Sequence, residues 1–448
     1  MSREKITVLG AGLIGSLMST FLARKGYEVK LFEKRPDLRI KQIDGGRSIN
    51  LALSHRGLRA LEKVGLSLQV EDLCLPMKGR IMHDPEGNIT YQPYGKEGQH
   101  INSISRTQLN ILLMNVAESA GAELHFNREC IQADLAQGIC FLQGPNAQYQ
   151  VESSFILGAD GAFSGLREVM RKTDRFNFSQ YYLAHGYKEL TIPATSSGDF
   201  ALDPQGLHIW PREQYMLIAL PNLDRSFTCT LFLPFEGAVS FDNLRKTQDV
   251  LDFFESSFSD ALPLMPSLLY DFFDNPTASL VSIRCNPWLV GKAGLIGDAS
   301  HAIVPFYGQG MNAGFEDCRL LDQLLSEHPG RFEQAFSKFQ ESRIPDTDAI
   351  ADLAFQNFIE MRDLVADDEF LLRKEIEQKL HELYPNLWIP LYSRITFSDQ
   401  PYREALKIGY IQRAIMDQVM SKPQIADEWR NMDFTALIKD LKTQADQL

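Results

Sequence analysis

The pattern of apolar and polar positions at the start of the chain predicts a strand, a tight turn, a helix and a second strand. These predicted elements are, in order, residues 6–9, 10–15, 17–24 and 28–33. Their order predicts a βαβ unit. The uncharged run 6–23 does not predict a signal peptide, because glycines interrupt it and no small-residue cleavage site follows it.

The pattern changes further along the chain. A helix is predicted over 107–120, and the turn-rich segment 84–88 predicts a hairpin between two short strands. Residues 181–235 contain runs typical of an antiparallel sheet, the α/β pattern returns near 293–297, and the chain is mostly helical from Pro345 onward. No internal repeat and no apolar run long enough to span a membrane is visible.

These patterns predict an α/β protein with a discontinuous Rossmann-type cofactor domain and an inserted sheet. We assign the cofactor domain to residues 1–75, 101–180 and 280–345. The antiparallel-sheet substrate domain takes 76–100 and 181–279, and a C-terminal helical region takes 346–448.

Composition narrows the function classes. Of 448 residues, 45 are Lys or Arg and 58 are Asp or Glu, so the formal charge is −13. That balance argues against nucleic-acid binding, which normally needs a basic surface. The six cysteines form no C-x-x-C pair and have no interleaved histidine ligands, so we predict reduced thiols of a cytoplasmic protein and no metal site.

The first turn carries a dinucleotide-binding fingerprint. Gly10-x-Gly12-x-x-Gly15 follows a strand and opens a helix; we expect Gly10 to form the turn, Gly12 to admit the pyrophosphate, and Gly15 to let helix and strand pack closely. Leu13 and Ile14 complete the loop, and Glu33 ends the second strand, where a carboxylate can accept hydrogen bonds from a ribose. The fingerprint does not distinguish FAD from NAD.

Two later segments resemble the Asp-Gly and Gly-Asp motifs of the single-component FAD-dependent aromatic hydroxylases, the family that includes p-hydroxybenzoate hydroxylase. They span residues 155–167 and 294–314. The resemblance implies that family's fold and a bound FAD. It further implies that the reduced flavin lies near the start of a helix at about Met311, whose dipole favours negative charge. The cofactor contacts it implies are Arg106, Asp160, a buried Asp298, Gly310, Met311 and Asn312.

Longer runs resemble the family members that act on L-kynurenine, at 77–80, 208–212, 226–235, 305–317, 357–362 and 389–392. This resemblance implies that the amino-acid end of the substrate is held by Arg80, Tyr94, Asn357 and Tyr392. We expect its ring to lie in an apolar slot lined by Leu207, Met216, Ile218, Phe232, Pro305 and Phe306.

The implied reaction is hydroxylation of L-kynurenine at ring C3, giving 3-hydroxy-L-kynurenine, with NADPH and O₂ through a C4a-hydroperoxyflavin. No catalytic acid or base is assigned, because that oxidant is electrophilic and the substrate's own amino group activates the ring. The choice of NADPH over NADH comes from the resemblance alone, because the sequence contains no second dinucleotide-binding fingerprint. The alternatives are a hydroxylase of the same fold acting on another aromatic amino acid, and an FAD protein without hydroxylase activity.

The segment beyond about Arg403 is charged and amphipathic, which indicates a soluble, bacterial-type form without the membrane anchor of mitochondrial members. We expect small-molecule partners only, without nucleic acid or membrane, and a place in the kynurenine pathway. Whether that place serves tryptophan catabolism or NAD biosynthesis, and whether the chain forms a homodimer, stays open.

Overall fold

The computed structural model describes residues 3–40, 50–95, 98–360 and 368–446. In those ranges the strands are β1 (Lys5–Leu9), β2 (Glu28–Glu33), β3 (Asn50–Leu53), β4 (Cys74–Met77), β5 (Gly79–His83), β6 (Ile89–Pro93), β7 (Ile101–Ser105), β8 (Glu123–Phe126), β9 (Glu129–Asp134), β10 (Ile139–Gln143), β11 (Gln148–Glu152), β12 (Phe155–Gly158), β13 (Asn177–Ile192), β14 (Gly206–Arg212), β15 (Tyr215–Pro221), β16 (Phe227–Pro234), β17 (Ala278–Asn286), β18 (Leu289–Val290) and β19 (Ala293–Leu295). The helices are α1 (Leu13–Arg24), α2 (His55–Lys63), α3 (Ser67–Glu71), α4 (Arg106–Ser119), α5 (Gly165–Met170), α6 (Thr247–Ser257), α7 (Leu268–Asp274), α8 (Asp298–His301), α9 (Gly310–Glu327), α10 (Phe332–Ile359), α11 (Asp368–Leu383), α12 (Leu391–Thr396), α13 (Tyr402–Met420), α14 (Ile425–Glu428) and α15 (Phe434–Ala445).

The first large sheet has the strand order β18, β19, β12, β1, β2, β8. β1 pairs in parallel with both β2 and β12, and β1, α1 and β2 form the predicted βαβ unit. Val8, Leu31 and Leu157 are fully buried, as expected for a parallel sheet inside an α/β domain. Because parallel strands end at the same edge, the chain after β1, β12 and β19 meets there. This edge carries the candidate cofactor motifs.

The second large sheet has the order β17, β13, β16, β15, β14, β5, β6. Its neighbours are antiparallel except β5 and β14, which are parallel. The predicted hairpin joins β5 to β6. Along β13, Leu190 and Ile192 pack in a core with α6 and α7, so the alternating residues Tyr187 and Glu189 face the opposite side. That opposite side carries the candidate substrate residues.

The fold class is confirmed: a Rossmann-type domain, an antiparallel sheet and C-terminal helices are all present. The sheet extends beyond residue 279, because β17 pairs with the first half of β13. The division into domains stays a prediction, although four of its proposed boundaries, after 75, 180, 279 and 345, fall inside β4, β13, β17 and α10.

α10 differs from the sequence prediction. The sequence predicted a mostly helical chain only from Pro345 onward. The helix instead begins at Phe332 and passes through Pro345, with Phe336, Phe339 and Ile350 buried on both sides of the proline. Burial of this apolar face outweighs the local cost of one lost hydrogen bond.

The C-terminal helices have a hydrophobic core of their own. Its buried members include Trp388, Met416 and Ile438, contributed by the segments around α11, α13 and α15. In the part of the chain that is described, no helix is both long and apolar enough to cross a membrane.

Candidate active site

The glycine loop after β1 has the geometry that the fingerprint predicts. Gly10 has φ +96°, and a Cβ there would lie 2.5 Å from the Ala159 carbonyl oxygen; a Cβ on Gly15 would lie 1.9 Å from the Gly10 oxygen. A Cβ on Gly12 would have no neighbour within 4 Å. The outer glycines are therefore required for packing, while Gly12 leaves its backbone approachable at the start of α1.

Glu33 lies beside this loop at the end of β2. Its carboxylate accepts hydrogen bonds from the Ala11 backbone N–H at 2.9 Å and from the Arg35 backbone N–H and Nε, both at 2.9 Å. Burial alone would raise the pKa of Glu33, but Arg35 outweighs it and holds the pKa below its ordinary 4.5. Glu33 thus stays ionised as an acceptor.

Leu13 and Ile14 begin α1. Leu13 is half-buried, and Ile14 packs against two glycines of the later motif: a Cβ on Gly314 would lie 2.5 Å from the Ile14 Cδ1, and one on Gly297 would lie 3.0 Å from its Cγ1. Ile14 therefore joins the first motif to the third by packing.

Asp160 follows β12 at the same sheet edge. Its Oδ2 accepts a bond from the Leu166 backbone N–H at 3.3 Å, whereas Oδ1 is buried without a hydrogen-bond partner among the described residues. Burial raises the pKa of this carboxyl, with hydrogen bonds from Ser164 and backbone groups opposing the shift. An acceptor oxygen thus remains available in the loop.

Asp298 departs from the sequence prediction. We expected it to be buried, but it is exposed, because it is the first residue of the short helix α8 and extends beyond the strand edge. The surrounding protein still desolvates the carboxyl and raises its pKa, against the opposing charges of His301 and Arg106. Arg106 is exposed at the start of α4, so the structure brings the predicted Arg106 and Asp298 into one electrostatic environment.

The N-terminus of α9 begins at Gly310, which is half-buried, as is Met311. Asn312 is fully buried: its Oδ1 accepts from the Ser54 N–H at 2.9 Å, and its Nδ2 donates to the Ala52 and Gly308 carbonyls, each at 2.9 Å. The side chain of Asn312 therefore holds the β3–α2 connection, and only its backbone is left for the predicted cofactor contact.

Three of the four predicted amino-acid-binding residues meet around one guanidinium. The Arg80 Cζ lies 4.5 Å from the Tyr392 ring centroid and 5.5 Å from that of Tyr94, and the two rings stack at 5.6 Å. The Tyr94 hydroxyl is buried without a hydrogen-bond partner in the described chain. We call Arg80, Tyr94, Tyr392 and the neighbouring Tyr307 the Arg80 cluster.

Aromatic side chains adjoin the Arg80 cluster. Phe306 lies 5.1 Å from Phe232 and 4.6 Å from Phe358, centroid to centroid, and Asn357 donates through Nδ2 to the Phe306 carbonyl at 2.7 Å. We call Phe232, Phe306 and Phe358 the phenylalanine cluster. Of the other predicted lining residues, Met216 belongs to the same core, Ile218 packs against it, Leu207 is opposite Arg80 in the sheet, and Pro305 is exposed.

Comparison with known proteins finds relatives over nearly the whole chain. Residues 3–335 match the FAD binding domain family. The chain is 47% identical over 438 residues to kynurenine 3-monooxygenase of Christiangramia forsetii, covering 97% of this chain and 98% of that protein. It is 43% identical over 425 residues to kynurenine 3-monooxygenase of Sus scrofa, covering 94% of this chain and 89% of that protein.

The chain belongs to the kynurenine 3-monooxygenase family. Within that family it is a flavoprotein monooxygenase with FAD as its cofactor. Its fold is shared with the tetrameric form of 2-methyl-3-hydroxypyridine-5-carboxylic acid oxygenase, with a TM-score of 0.67 at 22% identity, covering 83% of this chain and 96% of that one. Tetracycline destructase Tet(55) has the same fold, with a TM-score of 0.63 at 17% identity, covering 84% and 94%.

The residues at the sheet edge fit the FAD of the kynurenine 3-monooxygenase family. The Asp160 Oδ1 is an unsatisfied buried acceptor, the Glu33 carboxylate is ionised, and Gly12 and Gly161 have no protein atom within 4 Å of an added Cβ. Acceptors beside an approachable backbone at a helix N-terminus suit ribose hydroxyls and a pyrophosphate.

Sequence reasoning missed Tyr307. It is buried, and its ring stacks on Tyr392 with centroids 5.5 Å apart. The signal was present, because Tyr307 lies in the same run as Pro305 and Phe306, but nothing local distinguished it from core. Met361 and Arg362, which end another run of the family resemblance, lie outside the described residues.

Sequence reasoning also missed Glu189, on the substrate side of β13. Burial raises the pKa of its carboxyl to about 7, with Arg106 partly opposing the shift. A glutamate in a strand gives no local sign of such an environment.

Proposed function

We propose that this protein hydroxylates L-kynurenine at ring C3 to form 3-hydroxy-L-kynurenine, consuming NADPH and O₂. The observation that carries the proposal is the Arg80 cluster beside the phenylalanine cluster, since the two provide a cation with hydroxyl donors next to an aromatic surface. L-Kynurenine combines a carboxylate and an amine with an aminobenzoyl ring, so its two ends match the two clusters.

Arg80 binds the substrate carboxylate in this proposal. A guanidinium can donate two parallel hydrogen bonds to a carboxylate, and burial of the surrounding rings strengthens them. The Tyr94 hydroxyl, which has no partner among the described residues, donates a further bond. Tyr392 stacks over Arg80 and fixes the plane of its guanidinium.

The phenylalanine cluster orients the ring of the substrate. Phe232 and Phe306 offer apolar surfaces, and Asn357 fixes the Phe306 backbone from α10. These side chains exclude water from the ring and hold its C3 in one place, which favours oxygen transfer over decay to H₂O₂.

When bound, FAD would supply the redox chemistry of the reaction, which is uptake of hydride from NADPH and activation of O₂ for transfer of one oxygen atom to the ring. In this proposal it is held by the backbone of Gly10–Gly15, with Leu13 and Ile14 in the loop, by Glu33, Arg106, Asp160 and Asp298, and by the start of α9 at Gly310, Met311 and Asn312. We assign no side chain as acid or base for the hydroxylation. The proposed partners are small molecules alone, and the proposed location is the cytoplasm.

Turnover by the purified FAD-loaded protein tests the function. NADPH oxidation is followed with and without L-kynurenine, and mass spectrometry detects the product. Strong stimulation with a product one oxygen heavier, matching 3-hydroxy-L-kynurenine, is expected. Stimulation yielding only H₂O₂ would point to another aromatic amino acid as the substrate, and no stimulation would leave an FAD protein without hydroxylase activity.

Arg80→Ala tests the proposed carboxylate contact. Loss of a charge-assisted bidentate pair costs about 1.5–3 kcal/mol, so KM for L-kynurenine should rise roughly 10- to 150-fold while FAD stays bound. Lys78→Ala is the matched control, because Lys78 is exposed two residues earlier and its side chain bonds to the Gln205 Oε1. Its backbone bonds, to Gln205 and to the Tyr94 N–H, survive the substitution. A near-normal KM in Arg80→Ala would refute the assignment.

A further inference from the structure

Arg56, on α2, is a fully buried arginine that contacts the connection between α12 and α13. Its Nε donates to the Ile395 carbonyl at 3.2 Å, and its Nη2 donates to the Gln400 carbonyl. These acceptors lie 339 and 344 residues further along the chain. One side chain of the FAD-binding domain therefore holds the segment 391–401, which comprises α12 and the connection after it, at Ile395 and Gln400.

The charge of Arg56 is compensated inside the protein. Its Nη1 lies 2.6 Å from the Glu316 Oε1, and the Glu316 Oε2 lies 3.0 Å from the Arg343 Nη1. Arg343 in turn pairs with Asp317 at 2.8 Å. Because all four residues are at most 2% exposed, this network fixes the direction of the Arg56 guanidinium.

The segment that Arg56 holds carries a member of the Arg80 cluster. Tyr392 lies on α12, and the Ser393 hydroxyl donates to the Tyr94 carbonyl at 3.0 Å. Arg56 fixes the other end of this short helix through Ile395. The orientation of Tyr392 over Arg80 thus depends on one anchor at the substrate end and one at the cofactor domain.

Arg56 is also connected to the start of α9. The Tyr402 ring lies 4.0 Å from the Arg56 Cζ, and the Tyr402 hydroxyl donates to the Gln309 Oε1 at 3.0 Å. Gln309 is the N-cap of α9, directly before Gly310, and its Nε2 donates to the Ser54 hydroxyl at 3.4 Å. The same guanidinium therefore contacts both the segment behind Tyr392 and the ring that holds the helix assigned to the flavin.

We propose that Arg56 is a positioning residue that sets Tyr392, and with it the bound L-kynurenine, relative to the flavin. The inference rests on the proposed function. A guanidinium can donate in three directions from one plane while stacking on a ring, and a lysine ammonium cannot reproduce that arrangement. Loss of this geometry should misplace the substrate and divert turnover to H₂O₂.

Arg56→Lys is the first test, because it keeps a positive charge beside Glu316. In the FAD-loaded protein we expect KM for L-kynurenine to rise about tenfold, with kcat for NADPH oxidation within about threefold of wild type. The ratio of 3-hydroxy-L-kynurenine to NADPH consumed should fall at least twofold, and H₂O₂ should account for the difference. Hydrogen exchange should rise in the peptide covering 391–402.

Arg59→Ala is the matched control. Arg59 lies one turn later on α2 and pairs with Asp399 of the same connecting segment at 2.9 Å, but its side chain is 47% exposed. We expect KM for L-kynurenine and the ratio of product to NADPH consumed to stay within about twofold of wild type, because exposed ion pairs contribute little.

Tyr402→Phe gives an independent test if Arg56→Lys does not fold. It removes only the bond to Gln309, and a lower product-to-NADPH ratio with a raised KM is expected. If Arg56→Lys or Tyr402→Phe folds and keeps both KM and the product-to-NADPH ratio of wild type, the inference is overturned. A wild-type enzyme that ignores L-kynurenine would instead reject the proposed function, which separates the two failures.

Discussion

At the scale of single residues, the polar atoms without protein partners are the most informative ones. The Tyr94 hydroxyl and the Asp160 Oδ1 are both buried and unpaired in the described chain. A buried polar group without a partner costs stability, so its retention suggests a ligand. The first belongs to the proposed substrate site and the second to the proposed cofactor site.

Tyr94→Phe separates binding from stability. Removing an unpaired buried hydroxyl should leave the melting temperature unchanged or raise it, whereas KM for L-kynurenine should rise about 3- to 10-fold through loss of one hydrogen bond. Thermal unfolding and steady-state kinetics measure the two effects. Tyr402→Phe is the contrasting variant: its hydroxyl is bonded to Gln309, so its loss should cost about 1 kcal/mol of stability. A destabilised Tyr94→Phe protein with normal KM would contradict the assignment.

Glu189 should make stability depend on pH. Its folded pKa of about 7 lies above the ordinary 4.5, so between these values the folded state binds more protons than the unfolded state. Stability contributed by this group is therefore present below pH 4.5 and is lost as pH rises toward 7. In the FAD-free protein, Glu189→Gln should flatten this slope and gain about 1–2 kcal/mol at pH 8, after allowance for solvent screening. Melting temperatures at pH 5 and 8 give the measurement, with exposed Glu236→Gln as a control expected to keep the wild-type slope.

At the scale of elements, the sequence predicted those helices, strands and turns that depend only on residues close together in the chain. The βαβ unit and the β5–β6 hairpin follow from apolar period and turn residues, and both are present. Two features were not predictable in this way, because they depend on partners far along the chain. One is the pairing of β17 with the antiparallel sheet, and the other is the continuation of α10 through Pro345. In the site, the motif residues could be predicted from the sequence. The roles of Arg56 and Tyr307 could not, because their contacts form only when segments distant in the sequence come together.

Two glycines of the first turn, Gly12 and Gly15, should respond differently to alanine. Gly15→Ala places a methyl 1.9 Å from the Gly10 oxygen, so the turn cannot close and the protein should fail to fold or lose more than about 3 kcal/mol. Gly12→Ala meets no protein atom within 4 Å, so the FAD-free protein should keep its stability within about 1 kcal/mol. Its FAD affinity, measured by flavin fluorescence, should nevertheless fall roughly tenfold or more. Normal FAD affinity in Gly12→Ala would show that the cofactor does not approach this backbone.

At the scale of the whole molecule, the described chain contains separate hydrophobic cores. One surrounds the parallel sheet, a second lies under the antiparallel sheet with α6 and α7, and a third joins α11, α13 and α15. Several of the proposed substrate residues belong to, or pack against, a further core that includes residues of α10, α12 and α13. Damage to the third core should therefore leave the FAD-binding domain folded.

Ile438→Ala tests this separation. Ile438 is 4% exposed on α15, so truncation should cost about 2–5 kcal/mol locally and lower the melting temperature of the C-terminal helices. FAD affinity should stay within about twofold of the wild-type value, because the residues proposed to hold FAD belong to another core. Calorimetry and flavin binding measure the two effects, and exposed Lys439→Ala should change neither. An equal loss of FAD affinity would mean that the cores unfold as one unit.

The order of segments at the parallel sheet edge also bears on how the protein is made. Residues 10–15, Asp160 and Asp298 meet there, although about two thirds of the 448-residue chain must be synthesised before the last of them exists. At ~5–20 residues per second, the ribosome needs on the order of 15–60 s to reach Asp298. During that interval β1 and α1 can form, but the flavin cannot be fully enclosed. FAD can therefore be fully enclosed only after Asp298 has been synthesised. Because a ligand that binds the folded chain stabilises it, FAD supply should affect how much of the new protein survives quality control.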